Sequence, residues 1–222
     1  MFIGIDGEKR GWVAVTLNAE GFVDAACFRD FASLMSAYVD ARVIAVDMPI
    51  GLCDHESRIA DAAARAQLRG RASSIFNAPP RCALEAPDYA TASRASFETL
   101  GKKLSKQSYM LFEKIREVDA FIGDRRIHEV HPEVSFSLMK PGPLPHSKKS
   151  WGGLMERLAL LRQAGIELPA SLGDVDRVGV DDLVDAAAAA WSARRIAEGT
   201  AQSFPSETTQ LDASGRSIAI WG

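Results

Sequence analysis

A chain of 222 residues, 47% hydrophobic and 25% charged, is long enough for one well-packed core and has the balance of an ordinary globular protein. No apolar run reaches the roughly 20 residues of a membrane-spanning helix, and a strand is expected too close to the start for a signal peptide. Cys27, Cys53 and Cys82 are odd in number and lack CxxC spacing, which excludes a disulfide framework or a cysteine zinc site and suits reduced thiols in the cytoplasm. The net charge of -3 does not mark a nucleic-acid binder, but the charge is uneven. Residues 58–116 hold 11 Lys and Arg against 5 Asp and Glu, whereas the rest holds 15 against 24. An acidic frame with a basic middle suits a metal site that also holds an anion.

Apolar runs at 2–6, 11–17 and 22–28, separated by turn signals, predict an antiparallel meander. Along the first run Phe2, Gly4 and Asp6 share one face, and Ile3 and Ile5 the other. Phe31, Leu34, Met35 and Tyr38 recur at helical spacing over 30–41, with Asp30 placed to cap the helix. Residues 43–47 are apolar on both faces, the pattern of a central parallel strand, and Pro49 and Gly51 end it. Residues 54–69 predict a helix with Ile59, Ala62, Ala63, Ala66 and Leu68 inward. After a loop at 77–81, Tyr109, Phe112, Ile115, Val118 and Ile122 predict one helix starting at Ser105.

Residues 126–131 predict a strand, and Pro132 fits the first turn of a short helix. A loop at 140–149 leads to a helix at 154–164 with Gly165 at its end, and 181–198 forms the last long helix with Asp181 at its N-cap. A turn at 212–215 precedes a terminal strand at 217–221. Trp12, Trp151 and Trp191 read as core. The whole, 1–222, reads as a single α/β domain whose mixed sheet joins three antiparallel strands to two parallel ones. The 78 residues between Asp47 and Arg126 exceed one crossover, which predicts a helical insertion at about 54–122.

The chemistry is suggested by carboxylates at the ends of elements. Asp6 and Asp47 each end an apolar strand, where a desolvated carboxylate is costly unless something pairs with it. Asp181, Asp182 and Asp185 open the last helix. Three separated elements presenting carboxylates predict one acidic cluster for a divalent metal, Mg²⁺ or Mn²⁺, which favours hard oxygen ligands. Asp182 and Asp185 share a helix face. Glu129, His131 and Glu133 alternate and share one face if the strand stays extended, giving a further ligand or a general base. If Pro132 starts a helix, Glu133 is simply a first-turn acid. His128 points the other way and reads as structural. Arg69, Arg71, Arg81, Lys148 and Lys149 are candidates for substrate phosphates, as are Arg65, Lys102, Lys103 and Lys106, with solvated surface charge as the plain alternative for each. Arg69, Arg71 and Arg81 are expected to face the cleft from a helical cap.

Several stretches together carry a resemblance: Gly4-Ile5-Asp6-Gly7 with Gly11-Trp12, Val46-Asp47-Met48-Pro49-Ile50-Gly51, Ser74-Ile75-Phe76 with Ala78-Pro79, Glu129-Val130-His131-Pro132-Glu133, Ser147-Lys148-Lys149, and Asp181-Asp182-Leu183-Val184-Asp185-Ala186. The chain resembles the family called domain of unknown function 429, described as predicted RNase H-like nucleases. The resemblance implies an RNase H-like five-stranded sheet of order 3-2-1-4-5. It also implies metal ligands on the first strand, the fourth strand and the last helix, at Asp6, Asp47, Asp182 and Asp185. The activity implied is metal-dependent hydrolysis of nucleic acid, with no membrane partner. Two other readings share the fold: phosphoryl transfer to a small molecule, and a non-catalytic binding module.

Overall fold

The computed structural model describes residues 1–222 apart from 69–71, 141, 143, 208 and 213, and leaves the side chain of Ala72 aside. Three strands open the chain, β1 (Phe2–Glu8), β2 (Gly11–Leu17) and β3 (Phe22–Phe28), followed by α1 (Phe31–Ala37) and β4 (Val43–Val46). Five helices come next: α2 (Ile59–Gln67), α3 (Arg81–Leu84), α4 (Tyr89–Leu100), α5 (Lys106–Met110) and α6 (Phe112–Asp119). Then follow β5 (Ile127–Glu129), α7 (Pro132–Met139), α8 (Trp151–Gln163), α9 (Val180–Glu198) and a small ribbon of β6 (Ser203–Phe204) with β7 (Ile220–Trp221). The main sheet runs β3-β2-β1-β4-β5, antiparallel across β3, β2 and β1 and parallel from β1 through β4 to β5. This is the mixed five-stranded order expected from the sequence. Among the described residues no helix is long and apolar enough to cross a membrane.

Strand alternation sorts the core into two layers. Ile3, Ile5, Trp12, Ile44, Val46 and Ile127 face a layer that includes Phe31 and Leu34 of α1, Leu84 of α3, and Phe112, Ile115 and Val118 of α6. Val13, Val15 and Leu17 face the opposite layer with Phe136 of α7, Leu161 of α8 and the alanines of α9. Asp30 caps α1 as expected, its Oδ1 accepting from the Ser33 N–H at 2.8 Å.

Glycine at position 4 sets how closely that second layer approaches. A Cβ on Gly4 would stand 1.9 Å from the Ala190 nitrogen and 2.2 Å from the Ala186 oxygen. The backbone of α9 therefore lies directly on β1, which a run of small side chains from Ala186 to Ala190 allows.

Four local expectations change. In α2 the inward residues are Ala60, Asp61, Ala64 and Leu68, while Ala62 and Ala66 are exposed and Ile59 is 43% exposed. The helix is phased by buried ionic contacts of Arg58 and Asp61, which an apolar-periodicity reading assigns to solvent. The predicted helix from Ser105 is two, because the Leu111 N–H closes onto the Ser108 oxygen, a tighter turn, before α6 resumes. Asp181 is not the N-cap of α9. Gly179 holds that place, its carbonyl accepting from the Leu183 N–H at 3.1 Å, and Asp181 and Asp182 stand in the first turn. Trp151, read as core, is 75% exposed at the start of α8, whereas Trp12 is fully buried and Trp191 nearly so.

The Gly4 contact yields a direct test. Gly4→Ala is expected to destabilise the fold by about 3 kcal/mol or more, since backbone on both sides cannot yield as a side chain does. That corresponds to a drop of roughly 6–12 °C in Tm for a chain of this size. Gly123→Ala, where a Cβ meets nothing within 4 Å, is the control, expected to leave Tm nearly unchanged. Thermal unfolding of both variants by circular dichroism provides the comparison.

Candidate metal centre

The parallel pairing of β1 and β4 brings the first two carboxylates together. Ile5 is in register with Val46, and the Asp47 N–H donates to the Ile5 oxygen at 2.9 Å, extending the ladder by one residue. Asp6, inside β1 because that strand runs on to Glu8 against β2, and Asp47, just past the end of β4, therefore lie side by side on the α9 side of the sheet, the side of Gly4 and Ala45. The close seat of α9 on Gly4 then carries Asp185, next to Ala186, over the same edge. Carboxylate oxygens of Asp6, Asp47 and Asp185 lie within 4.8 Å of one another. Asp6 and Asp185 are buried and Asp47 is partly exposed. Asp182, one turn earlier on α9, lines the cleft outside that group.

The loop before α8 adds a cation. Lys148 forms an ion pair with Asp185 Oδ2. Two features hold this loop. Arg157 Nη1 reaches the His146 oxygen at 3.5 Å, and the Ser147 carbonyl lies where a Cβ of Gly153 would be, only 1.9 Å away. Glycine at 153 thus lets the loop close over α8.

Electrostatics follow from this crowding. Burial, then the charges of Asp47 and Asp185, raise the pKa of Asp6 well above the usual carboxylate range. Burial also raises Asp47, with His131 and Lys148 opposing. Asp185 is pushed up to about 7 by burial, against the pull of Lys148. Burial opposes the charge on Lys148, but the carboxylates of Asp185, Asp47 and Asp6 outweigh it and push its pKa upward. Asp182 is raised by burial and by its neighbour Asp181.

The residues present suit a hard divalent cation. Three carboxylates converge, and Asp185 Oδ1 is buried with no hydrogen-bond partner. An acceptor sealed from water without a donor is unfavourable, and a cation would satisfy it.

Glu129 and Glu133 line the same cleft but each meets a buried arginine. Glu129 is in register with Val46, so alternation turns it to the sheet face opposite Asp47. There it pairs with Arg58 and accepts from the Ile50 N–H at 2.7 Å. Burial pushes its pKa up to about 7, with Arg58 opposing. Arg58 also lies 3.6 Å from Asp61, whose Oδ2 accepts from the Ala78 N–H. Pro132 does start a helix, so Glu133 is a first-turn residue of α7, and it pairs with Arg157. His131 caps this helix, its Nδ1 accepting from the Glu133 N–H, while Nε2 meets the Ser74 oxygen at 3.2 Å. His128 packs edge-on against Trp221, on the other side of β5.

The expected basic residues divide. Lys148 and Lys149 line the cleft, Lys149 in the open. Arg81 does not line it and forms a two-pronged pair with Asp119 at 2.8 and 3.0 Å. Arg69 and Arg71 lie outside the described residues. Arg58 and Arg157 were missed, since nothing in a sequence separates an arginine destined for burial from a surface one.

The model of the family described as "Protein of unknown function (DUF429)" matches residues 4–210, nearly the whole chain, and the chain belongs to that family. Neither the curated proteins nor the solved structures contain a match.

The raised carboxylates predict a pH dependence of known sign. A carboxylate with a raised folded pKa stabilises the fold fully below its unfolded pKa and loses that contribution as pH rises through the folded value. Without metal, the wild type should therefore lose stability relative to Asp6→Asn as pH rises from about 4 to beyond the Asp185 value of about 7. Added Mn²⁺ should raise the wild-type Tm at pH 7.5, by mass action, and raise that of Asp6→Asn much less. Differential scanning fluorimetry in EDTA and in Mn²⁺ measures both effects. Parallel pH curves for the two proteins would contradict the crowded-carboxylate account.

Proposed function

We propose that this chain is a divalent-metal-dependent phosphodiesterase, an RNase H-like nuclease acting on nucleic acid. The observation that carries the reading is the convergence of Asp6 of β1, Asp47 just past β4 and Asp185 in the second turn of α9, with one Asp185 oxygen left without a partner. Those three would hold Mg²⁺ or Mn²⁺, with Asp182 in reach of the same cleft. The bound metal would supply an activated water and charge stabilisation at the scissile phosphate.

The chain's own residues do the rest. Lys148 balances the acidic group in the metal-free protein, and its ammonium stands where it can meet a phosphate oxygen once the carboxylates are engaged. Lys149 adds positive charge at the mouth of the cleft. Glu129 and Glu133 act here as positioning residues. Through Arg58, Glu129 ties the entry of α2 to β5, and through Arg157, Glu133 ties the Lys148 loop to α7. His131, held between the Glu133 N–H and the Ser74 oxygen, fixes the wall between them.

The cleft volume of about 500 Å³ falls within the range of small-ligand sites, which favours one second reading, phosphoryl transfer to a small molecule. Incubation with labelled oligonucleotides and with ATP, each with Mg²⁺ or Mn²⁺, separates the two. Oligonucleotide cleavage is expected, falling at least about 100-fold in each of Asp6→Asn, Asp47→Asn and Asp185→Asn, because losing a metal ligand removes several kcal/mol of transition-state stabilisation. Glu133→Gln is expected to fall less and to lose stability as well, since it leaves Arg157 buried and unpaired. ATP turnover without oligonucleotide cleavage would favour the second reading.

A further inference from the structure

Two further cavities adjoin the acidic cleft, and each shares part of its wall. The first, about 440 Å³, shares Ile75 and Phe76 with the cleft. Its described lining holds three cations, Arg65, Lys102 and Lys103, together with five serines and no carboxylate. This site is built by hydrogen bonds to the backbone. Ser96 Oγ donates to the Lys102 oxygen at 2.8 Å and the Tyr89 hydroxyl to the Leu104 oxygen at 2.9 Å, which fixes the two lysines' segment against α4. Arg65 Nε donates to the Ile75 oxygen at 3.0 Å, joining the basic wall to the strip that bears Phe76. Among the described residues neither lysine pairs with a carboxylate. Phe76 itself is 46% exposed.

The second cavity shares Lys148 and Lys149 with the cleft. It also takes in Trp151, 75% exposed, and Val180, 54% exposed, with Asp181 the acid among its lining. Shared walls thus join three cavities in series: one with Trp151 and Lys149, the acidic cleft, and the basic pocket that shares Phe76 with it. Among the described residues neither Trp151 nor Phe76 belongs to a buried apolar cluster.

We propose that this series is the track of an unpaired nucleic-acid strand, with phosphates held by Lys102, Lys103 and Arg65 on one side and Lys149 on the other, and bases stacked on Phe76 and Trp151. The proposal rests on the nuclease reading of the acidic cleft and names its substrate as single-stranded. Three arguments carry it. The carboxylates line a cavity of about 500 Å³ in which Asp6 and Asp185 are buried, a volume on the scale of one or two nucleotides. Aromatic faces beside cationic pockets are the pairing by which proteins hold single strands, because bases of every kind present a face once unpaired. A pocket of cations and hydroxyls without a carboxylate matches the demands of a phosphate.

The test uses the 222-residue chain in EDTA, with fluorescence anisotropy of an oligothymidylate of about 12 nucleotides, its oligouridylate equivalent and a duplex of about 12 base pairs, over a salt series. The wild type is expected to bind at least one single strand more tightly than the duplex. Phe76→Ala and Trp151→Ala should each weaken single-strand binding about tenfold. Lys102→Ala with Lys103→Ala should weaken it and shallow the salt dependence by about 1.4 in log–log slope. The Mn²⁺-induced rise in Tm should stay at its wild-type size in all these variants, showing that the fold and the carboxylates are intact. Wild-type affinity and slope in the variants, with that rise preserved, would overturn the track and leave the nuclease reading standing. Equal or tighter binding of the duplex would overturn its single-stranded substrate. A wild type that responds to Mn²⁺ yet binds none of the three probes would overturn both.

Discussion

The contact on which the candidate site depends contains no charged group. Helix α9 lies with its backbone against Gly4 of β1, closer than any side chain would permit. Alanines 186 to 190 are fully buried along this seat. Because helix and strand meet without intervening side chains, the first turns of α9 come over the end of β1. Asp185 is set there by main-chain geometry, not by a flexible approach. Asp47 arrives beside Asp6 through a parallel hydrogen-bond ladder of comparable rigidity. Three carboxylates on rigid elements form a more exact ligand set than the same residues on loops would.

The arrangement is electrostatically unfavourable taken alone. At separations within 4.8 Å, like charges repel by about 3.5 kcal/mol or more per pair at an effective dielectric of about 20. The fold tolerates this by two means: burial keeps some of the protons on, and Lys148 supplies an internal cation. The loop that carries Lys148 is in turn fixed by Arg157, held by Glu133 in the first turn of α7. A second buried pair, Arg58 with Glu129, closes the other side of the cleft. Removing one partner of such a pair leaves an uncompensated buried charge, so these pairs set the shape of the cleft more firmly than their net contribution to stability suggests.

The legible part of the molecule was the part whose pattern is local or whose pairing is forced. Short apolar runs bounded by turn signals gave β1 to β4, and an Asp at the end of each of two such runs pointed to the candidate site before any neighbour was known. Pro132 gave the start of α7. What stayed hidden depends on which groups meet across the fold. The phase of α2 is set by Arg58 and Asp61 turned inward against Glu129 and the Ala78 amide, partners far apart in the chain. Trp151 follows the rule that large aromatics are buried only when some element covers them, and among the described residues none covers the start of α8. Arg81 is held by Asp119, on a helix 38 positions away. Charge counting found the basic segment but not which of its cations were already paired.

The helical segment between β4 and β5 has a physical role that its composition alone left open. Its helices α3, α4 and α6 join α1 in the apolar layer on the sheet face opposite α9, the layer that holds Ile3, Ile5, Ile44 and Val46. The same segment turns Ser74, Ile75 and Phe76 into the wall of the acidic cleft, tied to the start of α7 through His131. A crossover that served only to join two parallel strands would need one helix. The added length places a single wall between an acidic cavity that suits a cation and a basic one that suits a phosphate, and that wall, through the Arg65 hydrogen bond to Ile75, is anchored by one of the cations that line the basic side.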